Sequence, residues 1–256
     1  LEENEPLATR LSDGRALTAP FNFKPLAFVS INNNAFGITQ DRIVNVATQE
    51  SITSPEPIRL ATAMDDLDAI FLLSESGTLY MYTIANKKFE INTLPAPTEI
   101  VPVALGSYLT YLYVLDEKTQ EVYRFPRSEG GFTTPIKWSK QPLEGIIPSS
   151  LTLGESVAAI GTDALPHLFE RGKKLETVFS GPQNSPRITA LTFDKASTDL
   201  FGLDQSAKRV IRWKVDGTLV AQYFHPSLET ASHILAGEQN TLLVVQPDGT
   251  FTFQLP

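Results

Sequence analysis

The sequence predicts an all-β chain folded as a six-bladed β-propeller with four-stranded antiparallel blades. Three observations carry this. A short apolar run, a polar turn and a second strand-like run recur six times along the 256 residues. The recurrence interval is close to forty residues, the length of one blade. No window sustains the i, i+3, i+4 apolar spacing of a helix, and 18 prolines and 15 glycines interrupt the chain too often for long helices.

The units read as follows. Phe36-Gly37-Ile38-Thr39 leads to Ile43–Val46, and Phe71-Leu72-Leu73-Ser74 leads to Leu79–Tyr82. Tyr113-Val114-Leu115-Asp116 leads to Val122–Phe125, and Ala159-Ile160-Gly161-Thr162 to Leu168-Phe169. Phe201-Gly202-Leu203-Asp204 leads to Val210–Trp213, and Leu243-Val244-Val245-Gln246 to Thr250–Phe253. The runs begin at 36, 71, 113, 159, 201 and 243, at intervals of 35, 42, 46, 42 and 42 residues.

Blades that stack face to face cover their middle strands on both sides, so those strands should read as continuous apolar runs. Ile70–Leu73, Leu112–Leu115 and Leu242–Val245 do. Innermost strands are expected in Leu26–Ile31, Arg59–Ala63, Ile100–Leu105, Ser150–Leu153, Thr189–Phe193 and Ser232–Leu235. Outer strands are expected at Phe89–Thr93, Ile136–Trp138, Leu175–Phe179 and Leu219–Phe224. One domain over 1–256 results, with blades at about 24–58, 59–97, 98–143, 144–188, 189–230 and 231–256. The last blade has only three strands of its own, and an open edge invites aggregation. The unclaimed segment Leu7–Phe23 is therefore expected to close the ring as its outer strand.

Composition narrows the function classes. The chain has no cysteine, which removes disulfides, thiolate nucleophiles and Cys-ligated metals. Its formal charge of -8 opposes the phosphate contacts on which nucleic-acid affinity rests, so no nucleic-acid partner is expected. No apolar run approaches the length that spans a bilayer, so this domain is not expected to insert in a membrane. The start at Leu1 rather than Met reads as a piece of a processed or longer protein.

Two polar columns align at the end of the middle strand. The first is Thr39, Ser74, Asp116, Thr162, Asp204 and Gln246; the second is Gln40, Glu75, Glu117, Asp163, Gln205 and Pro247. They read either as a ring of oxygens for a ligand or as short side chains bonded to turn N–H groups. Asp65-Asp66-Leu67-Asp68 offers oxygens to calcium but lacks the glycine-punctuated spacing of a calcium loop. The three histidines, His167, His225 and His233, form no zinc motif. No nucleophile elbow, phosphate loop or dinucleotide fingerprint is present. Glu129-Gly130-Gly131-Phe132 reads as a hairpin or blade-edge turn. Tyr108, Tyr111, Tyr113 and Tyr123 gather beside Phe125, with Tyr108 in the least apolar surroundings. The ligand-binding candidates are Tyr108, Asp116, Asp163, Asp204, His225 and His233, with no catalytic or metal-ligating residue assigned.

Leu112–Phe125 and Leu200–Trp213, in which an apolar strand ends in Asp and a second ends in an aromatic, resemble blades of the NHL-like and related six-bladed propellers. The chain lacks the Trp-Asp ending, the Tyr-Trp-Thr-Asp box and the Ser-x-Asp-x-Gly-x-Thr-Trp box of other propeller families. Tyr108–Phe132 is similar to propeller modules that follow phosphatase-like and membrane-spanning regions in some uncultured small-genome bacteria. That resemblance implies an extracytoplasmic domain of a membrane-anchored parent. The domain itself is expected to be monomeric. Two functions are weighed. One is a non-catalytic binding, scaffolding or sensor module holding a peptide, protein or glycan on one face. The alternative is a metal-dependent hydrolase, lactonase or lyase in which several of Asp116, Asp163, Asp204, His225 and His233 converge.

Overall fold

Twenty-six strands form among the described residues of a computed structural model, which are 5–16, 25–32, 34–95, 99–195, 197–237, 239–247 and 249–256. Two short strands come first, β1 (Ala8–Arg10) and β2 (Arg15–Ala16). The first blade is β3 (Ala27–Ile31), β4 (Asn34–Ile38), β5 (Arg42–Asn45) and β6 (Ser51–Thr53). The second is β7 (Ile58–Met64), β8 (Ala69–Ser74), β9 (Leu79–Thr83) and β10 (Lys88–Asn92). The third contains β11 (Pro102–Tyr108), β12 (Tyr111–Asp116) and β13 (Val122–Ser128), and β13 pairs with both β14 (Gly131–Phe132) and β15 (Ile136–Lys137). The fourth is β16 (Thr152–Leu153), β17 (Val157–Ile160), β18 (Pro166–Glu170) and β19 (Lys173–Lys174). The fifth is β20 (Ala190–Phe193), β21 (Leu200–Asp204), β22 (Arg209–Trp213) and β23 (Leu219–Phe224). The sixth is β24 (His233–Gly237), β25 (Thr241–Gln246) and β26 (Gly249–Gln254).

The N-terminal segment supplies the missing edge of the sixth blade. β2 runs antiparallel to β26, with Arg15 opposite Thr252 and Ala16 opposite Phe251. Gly14 fits there because a Cβ would sit 2.8 Å from the Phe253 ring. Residues 17–23 of the expected closing segment lie outside the described residues. The segment also does something the sequence did not announce: β1 adds to the fifth blade, parallel to β23, placing Ala8, Thr9 and Arg10 opposite Gln222, Tyr223 and Phe224. A second departure concerns Leu175–Phe179, expected as an outer strand. The edge strand there is Lys173–Lys174, while Leu175 and Phe179 pack against the core as irregular chain. Apart from the Leu175 N–H, which donates to the Leu168 carbonyl at 2.9 Å, their apolar character reflects packing rather than pairing.

The chain divides into two compact units, each with its own core. One comprises Asn22–Glu144 with Arg171–Lys173. In it, alternate residues of β8 face opposite neighbours. Ile70 and Leu72 pack with Ile31, Phe36 and Ile38 of the first blade; Phe71 and Leu73 pack with Leu112, Val114 and Phe125 of the third. All six residues of β8 are buried, which is why its sequence shows no alternation. The hairpin from β13 to β14 also reaches the second blade. The N–H of Phe132 donates to the carbonyl of Thr93 at 2.9 Å, and that of Thr93 donates to Gly130 at 3.2 Å. Only glycine fits at 131, since a Cβ would run into the Thr93 backbone. Arg127 seals the junction: its guanidinium lies 5.1 Å from the Phe132 ring and 5.7 Å from Phe71, and donates to the Asn92 side chain.

The other unit comprises Leu1–Phe21, Gly145–Glu170 and Lys174–Pro256. Phe201, Leu203 and Val210 of the fifth blade pack with Ile234, Leu242 and Val244 of the sixth. On the opposite side of the fifth blade, Leu200 meets Ala158 and Leu168, and Trp213 and Ile211 meet Ile160. Among the described residues, no helix is long and apolar enough to cross a membrane.

Candidate functional site

The polar columns sit at the turns that follow β4, β8, β12, β17, β21 and β25, and their geometry shows how such turns are held. Thr39 Oγ1 accepts from the Arg42 N–H at 3.1 Å, and Ser74 Oγ accepts from the Thr78 N–H at 3.0 Å. Asp116 is buried and bonds with both oxygens: Oδ1 accepts from the Val101 N–H at 2.7 Å, and Oδ2 accepts from the Thr119 N–H at 3.1 Å and its hydroxyl at 2.7 Å. Asp204 Oδ1 accepts from the Ser206 hydroxyl at 2.7 Å and its Oδ2 accepts from Arg209 Nε at 3.1 Å. Gln246 Nε2 donates to the Ser227 carbonyl at 2.5 Å.

Four members of the second column, Gln40, Glu75, Glu117 and Gln205, lace their turns to other segments. The N–H of Glu75 donates to Pro57, and that of Glu117 to Val101, each at 2.8 Å. Gln40 Nε2 donates to Glu75 Oε1 at 2.6 Å, tying the first blade to the second, and Gln205 Nε2 donates to the Ala231 carbonyl. These side chains answer donors and acceptors that hairpin turns leave unpaired.

Burial raises the Asp116 carboxyl, but the Thr119 hydroxyl and the Val101 and Thr119 N–H groups more than compensate, holding it below the usual carboxylate range. Its contribution is therefore fully present above the ordinary aspartate pKa and is lost as pH falls through the depressed folded value. Asp116→Asn is expected to cost about 1–3 kcal/mol at pH 7. The deficit should shrink as pH falls through the depressed folded value, where the native carboxyl also protonates; urea unfolding at neutral and strongly acid pH checks this.

The remaining candidates occupy separate local settings. Asp163 Oδ2 lies 3.1 Å from His167 Nε2. Burial raises the Asp163 carboxyl, and His167 with the Leu165 N–H outweighs it to leave a lowered value. Gly161 makes room for the pair, since a Cβ there would overlap both side chains. His225 caps a short 3-10 turn over Pro226–Thr230: its Nδ1 accepts from the Ser227 N–H at 3.2 Å, while its Nε2 lies 3.3 Å from Asp13 Oδ1. His233, at the start of β24, has its Nδ1 3.0 Å from the Ser232 hydroxyl, and burial pushes its imidazole down. Asp65–Leu67 forms a 3-10 turn between β7 and β8, and Asp68 accepts from the Asn32 side chain at 3.1 Å. Among the described residues, no three His, Cys, Asp or Glu side chains gather as a metal would need.

At the opposite end of the third blade, β11 and β12 pair Tyr108 with Tyr111 and turn through Leu109 and Thr110. Leu109 is 55% exposed. The Arg124 guanidinium lies 4.6 Å from the Tyr111 ring centroid. Tyr113 is buried and meets Trp138 edge-on at 6.0 Å, and burial pushes its hydroxyl up against the pull of Arg124.

No family model matches the chain, and no curated protein matches it. Solved structures do. The chain is similar to BBS1N, solved in complex with ARL6DN, with 16% identity and a TM-score of 0.57 over 91% of this chain and 78% of the other. It is similar to the WD40 β-propeller domain of Doa1, with 9% identity and a TM-score of 0.57 over 94% and 97%. The fold is a six-bladed β-propeller. Streptogramin B lyase matches equally well, with 13% identity and a TM-score of 0.57 over 95% of this chain and 97% of that one. One likeness is to a chain crystallised in complex with ARL6DN and another to a lyase; at these identities they establish the fold alone.

Sequence reasoning missed the most concentrated polar cluster. Arg209, on β22, is 1% exposed at its side chain, as is Asp204; Glu5, near the start of the chain, is 2% exposed. Arg209 Nη2 lies 3.0 Å from Asp204 Oδ2 and its Nη1 lies 3.2 Å from Glu5 Oε1. Its Nη1 also donates to Gln222 Oε1 at 2.8 Å and its Nη2 to the Asn184 carbonyl at 3.0 Å. An arginine directly before the apolar run Val210-Ile211 was the available signal.

Proposed function

We propose that this propeller is a non-catalytic binding or scaffolding domain that holds a peptide, protein or glycan at one end of its blades. The observation that carries the reading is the Tyr108–Tyr111 turn. An exposed leucine sits there between two tyrosines, one of which is stacked by Arg124. Tyrosine and arginine dominate the binding energy of protein interfaces, because rigid, amphipathic groups bury area at low entropic cost. The reading is supported further by the polar turn residues, whose oxygens and amides are engaged in holding the hairpins. The same reading treats the 256 residues as one domain and carries the NHL-like resemblance and an extracytoplasmic setting with it.

The test is selection of ligands on displayed-peptide and glycan arrays, followed by titration. Tyr111→Ala and Leu109→Asp are expected to weaken each selected ligand about tenfold or more, with an unchanged melting temperature. Ligands insensitive to both substitutions would remove the assignment to this turn. Turnover of a lactone that depends on an added divalent metal would replace the reading with a hydrolase.

A further inference from the structure

The cluster around Glu5 is built like a receptor for a carboxylate. Its walls hold themselves in place. Asp204, Gln222 and the Asn184 carbonyl fix Arg209 without help from the N-terminal segment, and the Arg209–Asp204 pair is neutral by itself. Five donors then converge on Glu5. Its Oε2 accepts from the Gln183 N–H at 2.8 Å and from Gln222 Nε2 at 3.2 Å. Its Oε1 accepts from the Asn184 N–H at 3.3 Å and Asn184 Nδ2 at 3.1 Å, and faces Arg209 Nη1 at 3.2 Å.

The residues after Glu5 bind as an added strand does. Gln222 donates its side-chain amide to the Pro6 carbonyl at 2.9 Å and its backbone N–H to Leu7 at 3.0 Å, and the Leu11 N–H donates to Phe224 at 2.9 Å. Leu7, with φ 53, turns the chain so that Glu5 enters the cavity. Between the anchors, Leu7, Ala8 and Arg10 are exposed. Leu11 is buried against Tyr223, Leu228 and Phe253. The segment thus presents two deep side chains, Glu5 and Leu11, joined by backbone pairing: pockets give specificity and main-chain bonds give affinity.

We infer that the outer edge of the fifth blade is a binding site for an extended peptide bearing one carboxylate side chain, with a carboxylate socket at one end and a leucine socket at the other, and that Glu5–Leu11 fills it in cis. This goes beyond the proposed function, uses none of the Tyr108–Tyr111 turn, and stands or falls separately from it.

The experiment keeps the whole chain. A protease recognition sequence is inserted between Asp13 and Gly14, next to the fully exposed Asp13 side chain; the protein is purified folded and then cleaved. A fluorescein-labelled peptide of residues 5–13 is added in excess and followed by anisotropy. The expected result is saturable exchange into the cleaved protein and none into the uncleaved one. Peptides carrying Glu5→Gln or Leu11→Ser should bind about tenfold or more weakly. Three outcomes overturn the inference. They are unfolding on cleavage, which would make the segment an integral strand, retention of the excised segment without exchange, and equal binding of the Glu5→Gln peptide.

Discussion

Arg209→Ala is expected to lower the unfolding free energy by about 3–5 kcal/mol, because it leaves Asp204 and Glu5 as uncompensated charges in the interior. Arg209 makes contacts in four directions at once, to Asp204, Gln222, the Asn184 carbonyl and Glu5. A planar fork can do this and a point charge cannot, so Arg209→Lys should recover only part of the loss. Arg209→Met combined with Asp204→Asn and Glu5→Gln should recover more, since no buried charge is then unpaired. The pH dependence has a definite sign. Burial raises the Glu5 carboxyl, but the Gln183 N–H, the Gln222 and Asn184 donors and the Arg209 charge outweigh it, leaving the value lowered. The stabilisation from Glu5 is thus present above the ordinary glutamate pKa and is lost as pH falls through the depressed value. Denaturant unfolding of the native chain and Arg209→Ala at neutral and acid pH should show the gap narrowing in acid.

The second large effect is expected at Trp213. Its side chain is fully buried, meets Phe179 edge-on at 5.2 Å and donates from Nε1 to the Ser180 carbonyl at 3.1 Å. The facing strand has been cleared for it: a Cβ on Gly202 would lie 2.9 Å from the indole. Trp213→Ala should cost about 3–5 kcal/mol through lost transfer energy and a residual cavity. Trp213→Phe should cost less, retaining ring contact but leaving the Ser180 carbonyl without its donor. A shift of the denaturant midpoint at constant slope identifies the loss as native-state packing.

The blades were legible because their signal is local and repeated. Ile70–Leu73 and Leu242–Val245 declare two-sided burial by their composition, and the forty-residue interval counts the sheets. Asp116 and Asp204 were legible as an aligned column, but composition could not show the bonds to Val101, Thr119 and Arg209 that the fold brings to them. β1 was not legible. Ala8-Thr9-Arg10 has no hydrophobic pattern, and its place is fixed by Glu5 and Leu11, whose partners lie about two hundred residues away. Leu175–Phe179 misled for the opposite reason: a strand-like composition arises there from chain packed against the core without a ladder. The Thr93–Gly131 clasp was visible only as a pair of glycines, because the backbone approach that demands the second of them comes from another blade.

The pairing of β1 with β23 and of β2 with β26 also sets an order of events. The partners of these two strands lie about two hundred residues later in the chain, so β1 and β2 must wait until the fifth and sixth blades have been made. Joining strands so distant in sequence is slow relative to forming a local hairpin, and until it happens the fifth and sixth blades keep bare edges. Folding chains are most vulnerable to mispairing while the fifth and sixth blades wait for these strands, and a chaperone that shields β1 and β2 would relieve that hazard more than one that assists any single blade.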